Sequence, residues 1–301
     1  MAVSPPFDRP ALGMVLMLGF CLLAPLSDGM AKLLAEDFPV LQLVWVRFAV
    51  QTVVLIPLAL ITRRSFAMSR LGWQLTALRT ALQVAGIWLM TTALTHLPLA
   101  DAIAIAFVMP FLLLLLGHVV LGEAVGPRRL IACGIGFLGT LLVMQPSFAT
   151  VGWAVLYPLG VAVVFAVFIL VTRRVAREAD PIAMQGTSGL MAVVALSLVY
   201  GVFPDAGPLR LEPPRDAGLL LLAMGLLGTG GHLLMTWSLR FAPAATLAPM
   251  QYLEIPVAAL IGLAMFGDWP NGLAQVGIAV TIATGLYILW RERQQIEGTT
   301  P

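Results

Sequence analysis

Charged residues are scarce in this sequence, and their scarcity excludes a water-soluble protein. Lys, Arg, Asp and Glu make up 11% of the 301 residues, whereas 60% are hydrophobic and the mean hydropathy is +0.96. One soluble core cannot hide that much apolar surface. The composition therefore predicts a protein that crosses the membrane several times.

Cysteine and the common enzymatic motifs are also missing or rare. The two cysteines, Cys21 and Cys133, lie far apart in apolar runs without CxxC spacing, so we predict neither a metal nor a redox site. The net charge of +2 comes from scattered arginines, which argues against a nucleic-acid partner. The motifs GxxxxGK[ST], HExxH and GxSxG are absent, so we expect no ATP-driven mechanism, no cofactor and no enzyme.

Long apolar stretches, separated by Pro, Gly and charge clusters, are what the sequence does contain. A hydrocarbon core about 30 Å thick needs about 20 residues per helix, and backbone in lipid must satisfy its own hydrogen bonds. These rules predict an all-α membrane protein with ten transmembrane helices in one integrated domain. The predicted spans are 11–33, 40–62, 73–95, 101–121, 129–147, 152–173, 181–203, 217–240, 244–266 and 272–290.

The arginines predict how these spans are oriented. With ten spans both termini lie on one side, and twelve of the 17 Lys and Arg residues fall on that side. They are Arg9, Arg63, Arg64, Arg70, Arg128, Arg129, Arg173, Arg174, Arg177, Arg240, Arg291 and Arg293. Because positive residues collect in short cytoplasmic loops, both termini are predicted to be cytoplasmic.

An internal repeat relates the two halves of the chain. The segment "LMTTALTHLPLADAIAIAF" (89–107) aligns with "LMTWSLRFAPAATLAPMQY" (234–252) at a constant offset of 145. The repeats are predicted to be 1–147 and 148–301, with five spans each, so the second copy is inverted in the membrane. Inverted repeats are typical of secondary transporters, whose substrate site lies near the midplane between the halves.

The fourth span of each repeat carries a family resemblance. The segments "PFLLLLLGHVVLGEAVGPRR" and "PVAALIGLAMFGDWPNG" begin with Pro110 and Pro256 and end in an acidic turn at Glu123 and Asp268. In these features the whole chain resembles EamA-type members of the drug/metabolite transporter superfamily, and bacterial exporters of aromatic and other amino acids are most similar in organisation. Asp268 departs from the family pattern by one methylene group.

The resemblance implies a fold, a location and a range of substrates. Spans 1–4 and 6–9 would surround a central cavity in the bacterial inner membrane, with spans 5 and 10 packed outside. Glu123 and Asp268 would have conformational or capping roles. Substrates of similar proteins include amino acids, nucleotide-derived metabolites, riboflavin, sugars and toxic cations.

An acid in the ninth span is the strongest candidate for substrate binding. His232 and Glu254 each lie 11 residues from Pro243, which places both about 16 Å from that turn. An intramembrane charge costs about 2.5 to 3.5 kcal/mol, so it usually faces a cavity or a partner. Glu254 is predicted to bind a substrate ammonium or a proton; the alternative is a hydrogen-bonded strut, with His232 an ordinary core histidine. Gln251 shares the helical face of Glu254 and is the better companion ligand, whereas Tyr252 is displaced from it.

Aromatic residues are further candidates for substrate binding. Trp88 and Phe107 lie at a comparable depth, 10 and nine residues from Pro98, and Tyr157 and Trp237 are added as further aromatic residues. A pocket for an amino acid or an aromatic metabolite is mostly apolar with few polar groups. The alternative for each ring is packing or anchoring at the membrane interface.

The remaining intramembrane charges, and the two prolines, are assigned gating or structural roles. Asp28 and Lys32 have the spacing of an i,i+4 pair near the outer end of span 1, with Arg47 as a neighbour, or they form an outer gate. Arg79 would line a cytoplasmic vestibule with His118 or snorkel toward the headgroups. Pro110 and Pro256 each lie early in the fourth span of a repeat. Pro249 and Pro256 flank Glu254 and would free backbone carbonyls there to line a cavity, or simply kink the helix.

Taken together, these features predict a gradient-driven transporter that exports amino acids by alternating access. The alternative is uptake of a metabolite such as riboflavin or S-adenosylmethionine, because a fold with inverted halves does not reveal direction. An intramembrane enzyme is a weaker alternative without a supporting motif. The expected partners are the small-molecule substrate and the lipid bilayer, with a second protomer possible through the glycines of span 5.

Overall fold

The computed structural model describes residues 9–121, 126–144, 152–202, 217–268 and 272–297, and over these ranges it contains helices and no strand. The helices are α1 Pro10–Leu34, α2 Val40–Ile61, α3 Arg70–Leu94, α4 Leu99–Ala106, α5 Met109–Leu121, α6 Pro127–Met144, α7 Leu156–Ala176, α8 Pro181–Val202, α9 Ala217–Phe241, α10 Ala244–Leu247, α11 Glu254–Phe266 and α12 Gly272–Glu297. Short 3-10 segments, Gly152–Val155 and Ala248–Leu253, precede α7 and α11.

Six of the described helices are long and apolar enough to cross a membrane. They are α1, α2, α3, Gly152–Ala176, α8 and α9. Shorter apolar helices cover Leu99–Leu113, Leu130–Gly139, Met250–Phe266 and Gln275–Thr284. The all-helical membrane architecture is thus confirmed, while the total of ten spans stays a prediction.

Both predicted fourth spans are interrupted rather than continuous. In the first, α4 ends at Ala106 and α5 begins at Met109; in the second, α10 and a 3-10 segment precede α11. Pro110 and Pro256 lie in the first turns of α5 and α11, where a missing N–H leaves no intrahelical bond unmade. The prolines therefore begin a new helical segment instead of kinking a continuous one.

Four helix pairs make the most extensive contacts in the bundle. α1 packs against α9, α3 against α7, α2 against α8, and α6 against α12. Small residues permit close approach: a Cβ added at Gly225 of α9 would lie 2.6 Å from Val50 Cβ of α2. The α6–α12 pair lies within the predicted spans 5 and 10, whereas the second protomer considered for span 5 stays a prediction.

Candidate functional site

A cavity lies where the interrupted helices meet the long ones. It contains about 540 Å³ free of protein atoms, including the space at its mouth. Its walls come from α1, α2, α3, α7, α9, α11 and the break between α4 and α5. The lining residues are Phe20, Ala24, Asp28, Arg47, Gly86, Ile87, Met90, Ala106, Phe107, Met109, Val161, Phe165, His232 and Glu254. Both halves of the chain therefore contribute to one cavity.

Glu254 is the first residue of α11 and faces this cavity. The residue is 7% exposed, and its carboxylate has no hydrogen bond or ion pair within the described ranges. Burial of a carboxylate without a partner is costly unless water or a ligand reaches it. Its position on the cavity wall fits the predicted substrate-binding role better than that of a strut between helices.

An ion pair occupies another part of the cavity wall. Arg47 Nη1 of α2 donates to Asp28 Oδ1 of α1 at 3.1 Å, and both side chains are buried. This is the only hydrogen bond of Arg47 in the described part of the chain, and its Nε has no partner. A Cβ at Gly228 of α9 would lie 2.5 Å from that Nε. The absence of a side chain at Gly228 therefore lets the guanidinium lie against α9.

His232 lines the cavity in an aromatic surrounding. Its ring centroid lies 5.9 Å from each of the rings of Phe20, Phe165 and Phe168. Its buried Nδ1 has no hydrogen-bond partner among the described residues. His232 and Glu254, which residue counting placed at one depth, both line this cavity, although no hydrogen bond or ion pair joins them in the described residues. An unpartnered Nδ1 also distinguishes His232 from a satisfied core histidine.

Gln251 and Tyr252 lie in the 3-10 segment behind the cavity wall, not on it. Gln251 is fully buried; its Nε2 lies 3.9 Å from Met17 Sδ and its Oε1 has no partner in the described chain. The Tyr252 ring lies 5.6 Å from the ring of Phe107. A Cβ at Gly136 of α6 would lie 2.8 Å from Tyr252. Phe107 is thus the predicted aromatic residue that reaches the cavity, and Tyr252 packs behind it.

The other aromatic candidates are not brought to the cavity. Trp88 is 39% exposed and meets the Tyr157 ring edge-on at 6.4 Å, and Tyr157 stacks on His96 at 6.1 Å. Trp237 packs on an apolar cluster that includes Leu55. Residue counting gave the depth of Trp88 but not the helix face on which it lies. The aromatic lining is instead supplied by Phe20, Phe107 and Phe165.

The predicted pair between Asp28 and Lys32 is not formed. Asp28 faces inward to Arg47, while Lys32 Nζ donates to the carbonyl of Leu97 at 3.0 Å and lies 4.9 Å from the ring centroid of Phe266. The i,i+4 expectation was wrong because Asp28 pairs with Arg47 of α2, while Lys32 donates to a backbone carbonyl between α3 and α4. Asp268 is exposed beyond the end of α11, and Glu123 lies outside the described residues.

Arg79 is buried in a second polar cluster away from the cavity lining. Its exposed fraction is 0%. The guanidinium donates from Nε to Thr172 Oγ1 at 3.0 Å, from Nη1 to Ser188 Oγ at 2.7 Å and to Gln83 Oε1 at 3.4 Å, and from Nη2 to Gln185 Oε1. These residues, which we call the Arg79 cluster, come from α3, α7 and α8.

This cluster corrects the prediction for Arg79. The side chain does not snorkel, because neutral acceptors from other helices satisfy its nitrogen atoms inside the bundle. No acidic residue in the described ranges pairs with it. His118 lies on an exposed face of α5, so the two residues do not form a shared vestibule. The polar residues of α8 were missed, although the run "MQGTSG" (184–189) inside an apolar span was a signal that could have found them.

One phenylalanine connects the two polar regions. The Phe168 ring lies 5.9 Å from the ring of His232 and 4.9 Å from Arg79 Cζ. A guanidinium over an aromatic face is attracted by the ring quadrupole. Phe168 thus separates the cavity from the Arg79 cluster while contacting a member of each. The described residues include no group of three or more His, Cys, Asp or Glu arranged as metal ligands.

Comparison with known proteins identifies related transporters. The sequence profile of the EamA-like transporter family matches residues 11–145 and 152–291. A riboflavin transporter of Rhizobium johnstonii is 29% identical over 217 residues, which cover 72% of this chain and 70% of that protein. An S-adenosylmethionine uptake transporter of Rickettsia prowazekii is 23% identical over 286 residues, with 91% and 90% covered.

A solved structure shares the fold. One crystal structure superimposes with a TM-score of 0.72 over 96% of this chain and 98% of its own, at 19% sequence identity. At 19% identity this similarity shows a shared fold and carries no information about function. The arrangement of helices around the cavity is therefore one that another protein also adopts.

Proposed function

This chain belongs to the EamA-like transporter family, and from that premise we propose that it is a secondary transporter that takes up a small metabolite through the cavity described above. The observation that carries the proposal is the unpartnered carboxylate of Glu254 on a wall of that cavity. A charge at this depth is expensive unless it serves a ligand, a proton or a water-filled path. Glu254 would take up the cationic group of the substrate or a proton, with His232 beside the same space.

Uptake of a metabolite is favoured over amino-acid export. The relatives compared above are named for riboflavin and S-adenosylmethionine, and not for amino acids. These names give no support to amino-acid export, which was the first expectation from the sequence. They do support the alternative, uptake of a metabolite such as riboflavin or S-adenosylmethionine. The bacterial sources of the relatives also support placement in a bacterial inner membrane.

Helix pairing supports the inverted repeat. Exchanging the halves replaces α1 by α7, α2 by α8, α3 by α9 and α6 by α12. This exchange turns the α1–α9 pair into the α7–α3 pair, and it returns the α2–α8 and α6–α12 pairs to themselves. The segments α5 and α11 also begin at residues 109 and 254 and end at 121 and 266, an offset of 145 at both ends. Halves related by a twofold axis would produce both regularities.

Alternating access would then require the layer next to the cavity to open. Thr172 lies four residues before the end of α7, and Ser188 lies seven after the start of α8, which places the Arg79 cluster about 6 to 10 Å from that end of the bundle. This end carries the arginine-rich connections and is the proposed cytoplasmic side. We assign the Arg79 cluster and Phe168 to the closed inner barrier of the conformation seen here.

Transport by purified protein tests the function. Proteoliposomes would be supplied with labelled S-adenosylmethionine, riboflavin or an amino-acid mixture, with and without an imposed proton gradient. We expect uptake of a metabolite by the wild type and at least a tenfold lower rate in Glu254→Gln. Glu36→Gln is the matched control, because it makes the same substitution at an exposed glutamate between α1 and α2. Normal flux through Glu254→Gln at every pH would remove Glu254 from the mechanism.

A further inference from the structure

The cavity carries charges of both signs, and their pairing is incomplete. Its ionisable lining residues are Asp28, Arg47, His232 and Glu254. Asp28 and Arg47 form an ion pair, which leaves Glu254 as a carboxylate without a partner. Among the described residues, Glu254 is therefore the one carboxyl group of the cavity wall that no basic side chain pairs with.

Two of these groups retain unused hydrogen-bonding capacity. A guanidinium has five N–H donors, yet Arg47 makes one hydrogen bond in the described part of the chain. Glu254 accepts none there, although a carboxylate has about four acceptor sites. By contrast, every nitrogen atom of Arg79 has an acceptor. The donors of Arg47 and the acceptors of Glu254 are thus available to a ligand.

The two groups belong to separate walls of the cavity. Arg47 lies on α2, which packs against α9, and Glu254 begins α11, which packs against α1. Both nevertheless face the same space together with Phe107 and Phe165. A ligand with an anionic group, a cationic group and an apolar portion would match both groups and the apolar lining.

We propose that the cavity selects a zwitterionic aminocarboxylate, whose ammonium group binds Glu254 and whose carboxylate binds Arg47. Arginine is suited to this because its planar fork matches a carboxylate with two parallel bonds. A ligand without these two groups would fill the apolar space but leave the free donors of Arg47 and the carboxyl of Glu254 without partners. Sites of this kind reject analogues that lack the matching polar group. This inference rests on the proposed uptake function and narrows its substrate class.

Gly228 provides a variant that tests Arg47 without removing a charge. A Cβ there would lie 2.5 Å from Arg47 Nε and 2.9 Å from Cζ, so Gly228→Ala must displace the guanidinium. Gly230→Ala is the matched control on the same helix, because its Cβ would meet only the Leu23 side chain, at 3.4 Å. Unchanged thermal unfolding of both variants would show that any loss of affinity is local.

The experiment measures equilibrium binding to the full chain in lipid nanodiscs. The probes are S-adenosylmethionine, S-adenosylhomocysteine, which keeps the ammonium and carboxylate, 5′-methylthioadenosine, which lacks both, and riboflavin. We expect the first two to bind and methylthioadenosine to bind at least about 100-fold more weakly. Glu254→Gln and Gly228→Ala should each weaken S-adenosylhomocysteine binding by about tenfold or more, and Gly230→Ala by less than about twofold.

The outcomes separate this inference from the proposed function. Methylthioadenosine or riboflavin binding as tightly as S-adenosylhomocysteine, or unchanged binding in Gly228→Ala, would overturn the zwitterion site. If riboflavin alone is bound and also accumulates in proteoliposomes, the uptake function stands and the zwitterion site fails. If no probe binds and no metabolite is transported, both proposals fail.

Discussion

Two buried arginines of the bundle, Arg47 and Arg79, lie in opposite situations. Arg79 has no acidic partner in the described residues, yet hydroxyl and amide oxygens from three helices accept hydrogen bonds from all of its nitrogen atoms. Arg47 has the carboxylate of Asp28, yet it makes one hydrogen bond and faces a cavity. Every side-chain nitrogen atom of Arg79 therefore has an acceptor, whereas Arg47 keeps unused donors.

The difference separates a structural role from a binding role. A fully satisfied polar network holds its helices in one arrangement, because each member loses a partner if any helix moves. A charged group with unused donors beside empty space retains capacity for a ligand. Arg79 should therefore govern stability, while Arg47 and Glu254 should govern affinity and transport.

The largest expected effect comes from removing Arg79. Arg79→Leu leaves Thr172, Ser188 and Gln185 buried without their partner, and each unmade bond costs about 1 to 3 kcal/mol. We expect destabilisation of about 3 to 5 kcal/mol and a Tm lower by about 10 °C, measured by thermal unfolding in detergent. Arg64→Leu is the control, because Arg64 is exposed and its pair with Asp180 is on the surface. An Arg79→Leu protein with the wild-type Tm would contradict the structural role.

Breaking the Asp28–Arg47 pair should destabilise the protein less than Arg79→Leu does. Removing both charges should restore stability but not transport. Asp28→Asn leaves the guanidinium buried without its counter-charge, and we expect a loss of about 3 kcal/mol. The double variant Asp28→Asn, Arg47→Gln removes both charges and should recover most of the stability. Its uptake should remain at least tenfold below the wild type in the proteoliposome assay. Wild-type uptake by the double variant would make this pair purely structural.

Replacing His232 should lower uptake while leaving the stability of the protein nearly unchanged. His232→Phe removes the unpartnered Nδ1 and places a phenyl group among Phe20, Phe165 and Phe168. We expect the free energy of unfolding to change by less than about 1 kcal/mol, because an apolar group of similar shape replaces an unsatisfied polar one. Uptake should fall about tenfold if His232 contacts the ligand. Equal uptake would confine His232 to packing.

The smallest effect concerns a contact outside the membrane spans. The backbone N–H of Ser69, at the start of α3, donates to Glu178 Oε1. This bond, and to a smaller extent a hydrogen bond from the Ser69 side chain, lowers the pKa of Glu178. A carboxyl whose pKa is lower in the folded state stabilises the protein above its unfolded pKa, and this stabilisation is lost as the pH falls through the folded value. Glu178→Gln should lower the Tm by less than about 2 °C at pH 7. The difference from the wild type should vanish at acid pH, and a difference that grew there would contradict the assignment.

Residue counting predicted the depth of side chains in the membrane better than the helix face on which they lie. Counting residues from Pro243 placed His232 and Glu254 at one level, and both line the cavity. The same counting placed Trp88 at that level, but Trp88 lies on an exposed face. Distance from a turn follows from helical rise, whereas the face on which a side chain lies depends on packing against helices elsewhere in the chain.

Partners distant in sequence explain the remaining differences. Arg79 bonds to Gln185 and Ser188, which lie 106 and 109 positions away, so its environment could not be deduced from α3 alone. Pro249 and Pro256 predicted a disturbed backbone beside Glu254, but neither its 3-10 form nor the break before α5 was predicted. Composition and the apolar runs, in contrast, were sufficient to predict an all-helical membrane protein, whereas the transporter prediction came from the repeat and the family resemblance.

Protection of a cavity cysteine by a transported ligand tests most directly whether the cavity binds the substrate. In a chain with Cys21 and Cys133 replaced by alanine and with transport retained, a single cysteine would be introduced at Met90, which lines the cavity. Ser65, exposed between α2 and α3, would carry the control cysteine. The account predicts that S-adenosylmethionine, or whichever tested metabolite is transported, slows labelling of Met90→Cys by a water-soluble thiol reagent but leaves Ser65→Cys unchanged. Transport of a metabolite that protects neither cysteine would contradict it.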